Sequence, residues 1–273
     1  MTLQNLPESM ENIIISLVLS QLILVPLAYK WELNLKVVFI SALIIGLFVG
    51  LGINIAEVYL YMGLPLKLIS CFISIVLVST SALMFRFYRD PDRVPPQGEN
   101  IILSPADGTI KYIKAIDKSE IPFSSKGREK IRLSEPLTGI LKDEQGYLIG
   151  ILMTYLDVHV TRTPIEGKLT YLKHIPGQFH SLKKEDAPYK NERVIEIVES
   201  DRFKIGLIQI ASRLVRRILT YSKEGDELAS GQRIGMITFG SQVDVVLPKL
   251  QGLRIKARVG EQVYAGLSII AEF

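Results

Sequence analysis

Residues 68–93 read LISCFISIVLVSTSALMFRFYRDPDR. The first eighteen carry no charge, and the last eight gather Arg86, Arg89, Asp90, Asp92 and Arg93 around Pro91. An uncharged run of that length approaches the roughly 20 residues that cross a bilayer core, whereas charges around a proline end a helix and open a loop. The chain changes character at this point. Residues 1–85 are largely apolar, and from Arg86 onward charges, glycines and prolines recur at the density of a soluble fold with many turns. The boundary therefore falls between residues 85 and 86.

Toward the N-terminus, residues 12–29 and 37–56 are two more runs without a charge. The residues before the first include Glu8 and Glu11 and no Lys or Arg, which is the wrong leader for a cleaved signal peptide. Three transmembrane helices are expected. Lys30 and Lys36 lie between the first two runs and Arg86, Arg89 and Arg93 follow the third, while Glu8, Glu11, Glu57 and one cation, Lys67, fall on the other side. Cations are retained in the cytoplasm, so the expectation is a multi-pass protein of the cell membrane whose soluble part, 86–273, is cytoplasmic.

The whole composition agrees with this division. Of 273 residues, 48% are hydrophobic, an excess carried by the N-terminal third. The single cysteine, Cys71, lies in the third run, so neither an intramolecular disulfide nor a cysteine metal site can form, and no metal is expected. The net charge of +4 comes without a basic stripe interleaved with aromatics, which argues against nucleic acid and for an anionic lipid surface as the partner.

In the soluble part, short apolar or alternating runs at 101–103, 108–113, 147–153, 194–198, 203–211, 215–221 and 243–247 are separated by turn residues such as Asp107-Gly108, Pro176-Gly177 and Glu224-Gly225-Asp226. This predicts a mainly β domain. The polar segment 120–144 reads as an exposed excursion, and a short helix is expected near 178–184. Residues 225–231 (GDELASG) and 260–266 (GEQVYAG) share the form G-[DE]-x-[LV]-x-[AS]-G, a turn and short strand of the kind found in barrel-sandwich domains, so a barrel-sandwich-like fold is expected.

Three places carry chemistry. Gly240-Ser241 stands beside a strand, Asp107 lies in a tight Pro-to-Gly turn, and His159 is one of only three histidines, on an apolar run that ends at Pro164. Each alone suits an ordinary structural role. Together an acid, a histidine and a serine are the parts of a nucleophile-activation relay, which needs proximity in space only. Asp157 reads as a structural neighbour of the His159 strand, and His174 and His180 as structural. Arg213, Arg216 and Arg217 read first as a solvated face; in the functional alternative Arg216 or Arg217 holds a phosphate or carboxylate, which guanidinium suits by geometry.

Residues 87–93 (FYRDPDR), 104–108 (SPADG), 157–164 (DVHVTRTP), 191–193 (NER) and 235–241 (GMITFGS) resemble, in order and across nearly all of the soluble part, the phosphatidylserine decarboxylases. The resemblance implies that the chain cuts itself between Gly240 and Ser241, leaving a long β chain and a short α chain from one precursor, and that Ser241 becomes an N-terminal pyruvoyl group. The better-known members carry Leu-Gly-Ser-Thr here; Phe-Gly-Ser-Gln points to the shorter branch that includes archaeal members. It further implies that Ser241 Oγ attacks the Gly240 carbonyl in an N-to-O acyl shift, with His159 oriented by Asp107 as the base. The pyruvoyl group would replace pyridoxal phosphate as electron sink, with His159 returning the proton. Other members carry a second histidine where this chain has Arg162.

The expectation is thus an enzyme, a pyruvoyl-dependent carboxy-lyase that converts phosphatidylserine to phosphatidylethanolamine and carbon dioxide. The close alternative is the same chemistry on archaetidylserine. An alternative of another class is a noncatalytic, membrane-anchored barrel-sandwich binding module, which would stay at full length where the enzyme splits in two.

Overall fold

A computed structural model of the chain describes residues 7–31, 33–98, 100–117, 124–126, 129–131, 137, 139–141, 145–182, 190–212, 217–238 and 241–273. The chain divides into two compact units, Met1–Phe85 and Arg86–Phe273.

The first unit is built from three helices, α1 (Glu8–Lys30), α2 (Leu35–Tyr59) and α3 (Leu64–Tyr88), the last continuing into the second unit. All three are long and apolar enough to cross a membrane by length and composition. Asn34 starts α2 by accepting hydrogen bonds from the Lys36 and Val37 amides. Along α2, Ala42, Gly46, Gly50 and Ile53 are buried at helical spacing. A Cβ on Gly46 would lie 2.8 Å from Leu17 Cα, and one on Gly50 2.7 Å from Ile13 Cα, so the glycines let α1 and α2 meet backbone to backbone. Ser20 Oγ donates to Ala42 O across the same contact. Large side chains such as Leu22, Ile44, Phe48 and Leu77 point outward, the reverse of a water-soluble bundle.

The second unit is mainly β, as expected. A curled, antiparallel eight-stranded half-barrel runs in the order Glu227–Leu228, Gly167–Ile175, Arg193–Glu199, Lys204–Ala211, Ser241–Pro248, Gln145–Met153, Gly108–Asp117, Gln262–Val263. Two three-stranded sheets accompany it: Ile101–Leu103, Ile269–Glu272 and Arg254–Ile255, and Val160–Arg162, Arg233–Ile237 and Ile218–Thr220. The central strand Ser241–Pro248 is buried at all eight positions. One of its faces packs with Ile149, Ile151, Val194 and Val198, the other with Leu148, Ile195, Ile208 and Ile210. Such side chains contribute about 1.5–3 kcal/mol each by leaving water.

The sheet order is that of an internal repeat. Leu103 N donates to Pro164 O and Arg162 N to Pro105 O, both at 2.9 Å, so residues 103–110 and 162–169 exchange equivalent bonds. Ser104 Oγ bonds Ala106 O, and Thr163 Oγ1 bonds Ile165 O. Gly108 and Gly167 follow at φ 151° and 149°, each so close to the neighbouring strand that a Cβ would lie 2.4 Å from a carbonyl oxygen. The two G-[DE]-x-[LV]-x-[AS]-G segments belong to this repeat: Gly225 N bonds Leu169 O, and Gly260 N bonds Ile110 O.

Two expectations fail. Residues 178–182 form no helix, because Gln178 bridges Asn191 and the Asn191 side chain bonds both the amide and the carbonyl of His180. The excursion at 120–144 is not wholly exposed: Leu137, Ile140 and Leu141 are buried beneath the sheet, while 118–123, 127–128, 132–136, 138 and 142–144 lie outside the described residues. The strands Gly167–Ile175, Arg233–Ile237 and Ile269–Glu272 were not legible as strands. In the first, most positions are only partly buried, so its polar residues mask the pattern.

Candidate active site

Ser241 is the first residue of the central strand, fully buried, paired with Met153 on one side and Ala211 on the other. Its hydroxyl donates to Met153 Sδ at 2.9 Å, a weak acceptor for a nucleophile. Gly240 and Phe239 lie outside the described residues. Thr238, just before them, is held by two bonds to Arg217 O, one from its amide and one from its hydroxyl.

His159 precedes the strand Val160–Arg162, and its carbonyl accepts from Ile237 N. The ring is fully buried and lies on Phe87, with centroids 4.1 Å apart. Its Nδ1 is 2.9 Å from Asp157 O. A carbonyl can only accept, so Nδ1 carries the proton and Nε2 presents a lone pair. Nε2 is buried and has no hydrogen-bond partner among the described residues. Burial pushes the imidazole down to about 4, against the opposing pull of the Asp157 hydrogen bond and the Asp107 charge. His159 is therefore a neutral base at physiological pH. Asp157 has the structural role read from the sequence: its carboxylate accepts from Thr154 N, Thr154 Oγ1 and Gln262 Nε2, which fixes the loop that aims the histidine.

Asp107 sits in the Ser104–Gly108 turn, buried. Its two oxygens accept from Arg93 Nη1 and Nη2 at 2.5 and 2.9 Å, and Oδ1 also accepts from Ala265 N at 2.8 Å. The described hydrogen bonds of Asp107 thus go to Arg93 and Ala265 and not to His159, whose ring is oriented by Asp157 O; the carboxylate's charge pulls the imidazole upward against its burial. Arg93 was missed by reasoning on the residues singly, although it stands in FYRDPDR. That segment is pinned elsewhere too. Arg162, buried, donates to Gly231 O and Pro91 O and pairs with Asp90, and Arg233 pairs with Asp90 and Asp92. Arg162 is thus committed to the segment that brings Arg93 to Asp107.

Of the other candidates, Arg217 is exposed, and Arg213 and Arg216 lie outside the described residues. Asn191 is fully buried and donates to Ala211 O, bracing the strand beside Ser241. One further feature had no signal in the sequence. Thr161 Oγ1 bonds Gln209 Oε1, and Gln209 Nε2 bonds Glu196 Oε2, a buried chain two residues from His159 in which burial pushes Glu196 up to about 7.

The sequence model of the family described as phosphatidylserine decarboxylase matches residues 80–271. A protein of Methanocaldococcus jannaschii that carries the name archaetidylserine decarboxylase proenzyme is 41% identical over 201 residues, 73% of this chain and 94% of that protein. One of Methanothermobacter thermautotrophicus with the same name is 37% identical over 203 residues, 74% of this chain and 85% of that protein. With a match over residues 80–271 that takes in all five short segments, the chain belongs to the phosphatidylserine decarboxylase family, whose members are pyruvoyl-dependent decarboxylases.

Proposed function

We propose that this chain is a membrane-anchored decarboxylase of serine-headgroup phospholipids that makes its own pyruvoyl group by cutting itself between Gly240 and Ser241. Residues 1–85 form the anchor, with three helices crossing the cell membrane, and 86–273 form the catalytic domain on the cytoplasmic side. The carrying observation is Ser241 itself: a buried serine at the head of the central strand, its hydroxyl on a thioether, in a chain with a buried neutral histidine whose Nε2 has no hydrogen-bond partner among the described residues.

The residues fit the group. The orphaned, buried His159 Nε2 is an acceptor for the proton that Ser241 must lose. Ser241 Oγ attacks the Gly240 carbonyl carbon as that proton passes to His159, and the proton then goes to the amide nitrogen as the C–N bond breaks. The ester leaves by β-elimination across Ser241, and hydrolysis of the dehydroalanine yields ammonia and the pyruvoyl end. That group, once formed, accepts the electron pair left at the substrate Cα when carbon dioxide departs. In turnover His159, neutral at rest, takes a proton from the substrate ammonium and returns it to Cα. Asp107, held by Arg93, supports the charged imidazolium in both stages. Arg216 or Arg217 holds the lipid phosphate or carboxylate.

Phosphatidylserine and archaetidylserine present the same headgroup. The names of the two archaeal relatives favour the ether lipid as a second reading. The barrel-sandwich likeness rests on the two glycine-bounded turns and concerns architecture only. Intact mass of the purified protein tests the proposal: a short chain beginning at residue 241, lighter by one ammonia than its serine-ended form, is expected. A single full-length chain from active cells would overturn it. Turnover of ester- and ether-linked lipids in parallel assigns the substrate.

A further inference from the structure

One cluster of buried polar side chains lies outside the Ser241, His159 and Asp107 set yet begins at the residue after Ser241. Gln242 Nε2 donates to Tyr112 Oη at 2.8 Å and to Asp244 Oδ1 at 2.7 Å, and Tyr112 Oη donates to Asp244 Oδ2 at 2.7 Å. The three side chains close a ring in which both amide protons and the phenol proton are used. Gln242 and Asp244 are fully or almost fully buried. Because strand side chains alternate, they lie on the face opposite Ser241.

The internal repeat supplies a comparison. Across the sheet, Tyr112, Gly150 and Asp244 are in register in one half; Tyr171, Ile197 and Gly206 hold the same places in the other. Gly150 is what allows the ring, since a Cβ there would lie 2.4 Å from Tyr112 Cζ. In the other half Ile197 occupies that place, and Leu137 and Ile140 fill the space over Gly206. The sheet is therefore complete with apolar packing here. A buried carboxylate costs free energy that only good hydrogen bonds offset, and burial does push Asp244 up to about 6 against the bonds from Tyr112 and Gln242. At this register and on this face only the half that carries Ser241 bears this cost; the other half's buried carboxylate, Glu196, stands next to Ile197 on the opposite face, where Gln209 bonds it.

Resting on the self-processing reading above, we infer that Tyr112, Gln242 and Asp244 are positioning residues for the mature enzyme, a clamp that holds residue 242, and with it the group at 241, in place once the chain is cut. Before cleavage residue 241 is held by peptide bonds on both sides. Afterwards it is a chain end, and ends fray unless tied down. Its remaining ties are the ladder to Met153 and Ala211 and the amide to Gln242, whose side chain the clamp fixes. The clamp therefore bears on decarboxylation rather than on the cut.

The test uses the full chain in detergent, as wild type, Tyr112→Phe, Gln242→Met and, at the repeat-related position, Tyr171→Phe. Each is assayed for extent of splitting, pyruvoyl content of the short chain, and kcat and KM on phosphatidylserine and archaetidylserine. Tyr112→Phe and Gln242→Met are expected to split fully and carry the pyruvoyl group, with kcat lower by on the order of tenfold and KM within about twofold. Tyr171→Phe should match wild type. Unchanged kcat in both clamp variants overturns the inference, as does an equal loss in Tyr171→Phe or failure of folded clamp variants to split. A wild-type chain that stays whole sinks the self-processing reading and the clamp with it; a wild type that splits beside unaffected variants sinks the clamp alone.

Discussion

In the half of the β domain built on Gly108–Asp117, Gln145–Met153 and Ser241–Pro248, the first turn carries Asp107, buried against Arg93 and the Ala265 amide. In the half built on Gly167–Ile175, Arg193–Glu199 and Lys204–Ala211, the same turn carries Glu166, exposed. The backbones match down to the hydroxyl that closes each turn and the glycine that leaves it. The central strand of one half begins with the buried Ser241 and contains Gln242 and Asp244, whereas the other half's strand contains Gly206 at the place of Asp244. One strand plan thus serves two ends. Backbone pairing and apolar packing build both halves, and each adds its own buried polar side chains, Tyr112, Gln242 and Asp244 in one and Gln209 and Glu196 in the other.

The sharpest way to break this comparison is at Ser241 and His159, the proposed nucleophile and base. Ser241→Ala should stay a single chain with no decarboxylase activity. His159→Ala should slow splitting by two to four orders of magnitude, on the order of what general-base catalysis supplies. Gel electrophoresis of time courses and headgroup analysis read both. A folded His159→Ala protein that splits at the normal rate would remove the histidine from maturation.

Next in size is the turn pair. Asp107→Ala leaves the buried Arg93 without its carboxylate and should cost about 3–5 kcal/mol as well as slowing the cut. Glu166→Ala, exposed, should stay within about 0.5 kcal/mol and split normally. Thermal denaturation of the two variants side by side measures the difference, and equal losses would mean that the halves are not as unlike as their burial suggests.

The pH dependence of splitting sharpens the assignment of His159. A base held down to about 4 by burial is neutral, and so competent, above that value; it gains a proton and is lost as pH falls through it. The rate should be level from about pH 8 to about pH 5.5 and fall below, rather than halving near 6.5 as for an ordinary histidine. A midpoint near 6.5 would show that the imidazole is more solvated than its packing on Phe87 implies. The smallest effect is expected at Arg216: Arg216→Ala should split fully and show a several-fold rise in KM at most, since a phosphate contact contributes to binding and has no part in proton removal.

Much of this was legible in the chain. The uncharged runs marked all three long helices because length and apolarity are local properties. Gly108, Gly225 and Gly260 marked turns because only glycine suits their backbone angles. The family was legible because five short segments resembled it, and Ser241, His159 and Asp107 are proposed as its site on that ground, while residue-by-residue reading left each with an ordinary structural role. The Gly46–Gly50 contact and the strands with mixed burial were not read, since neither announces which neighbour it meets. The noncatalytic module is set aside by membership of an enzyme family.

What the sequence alone determined, then, was where the apolar third ends, that the remainder is mainly β, and which family its short segments resemble, all properties carried by composition, local geometry or short segments. Only the tertiary structure decided that Asp107 answers to Arg93, that the His159 Nε2 has no hydrogen-bond partner among the described residues, and that Tyr112 reaches over Gly150 to a residue 132 positions away. Each of these depends on strand register. Register is set by the summed burial of whole strands, since a slip of one residue would turn every inward side chain outward, and no single residue records it.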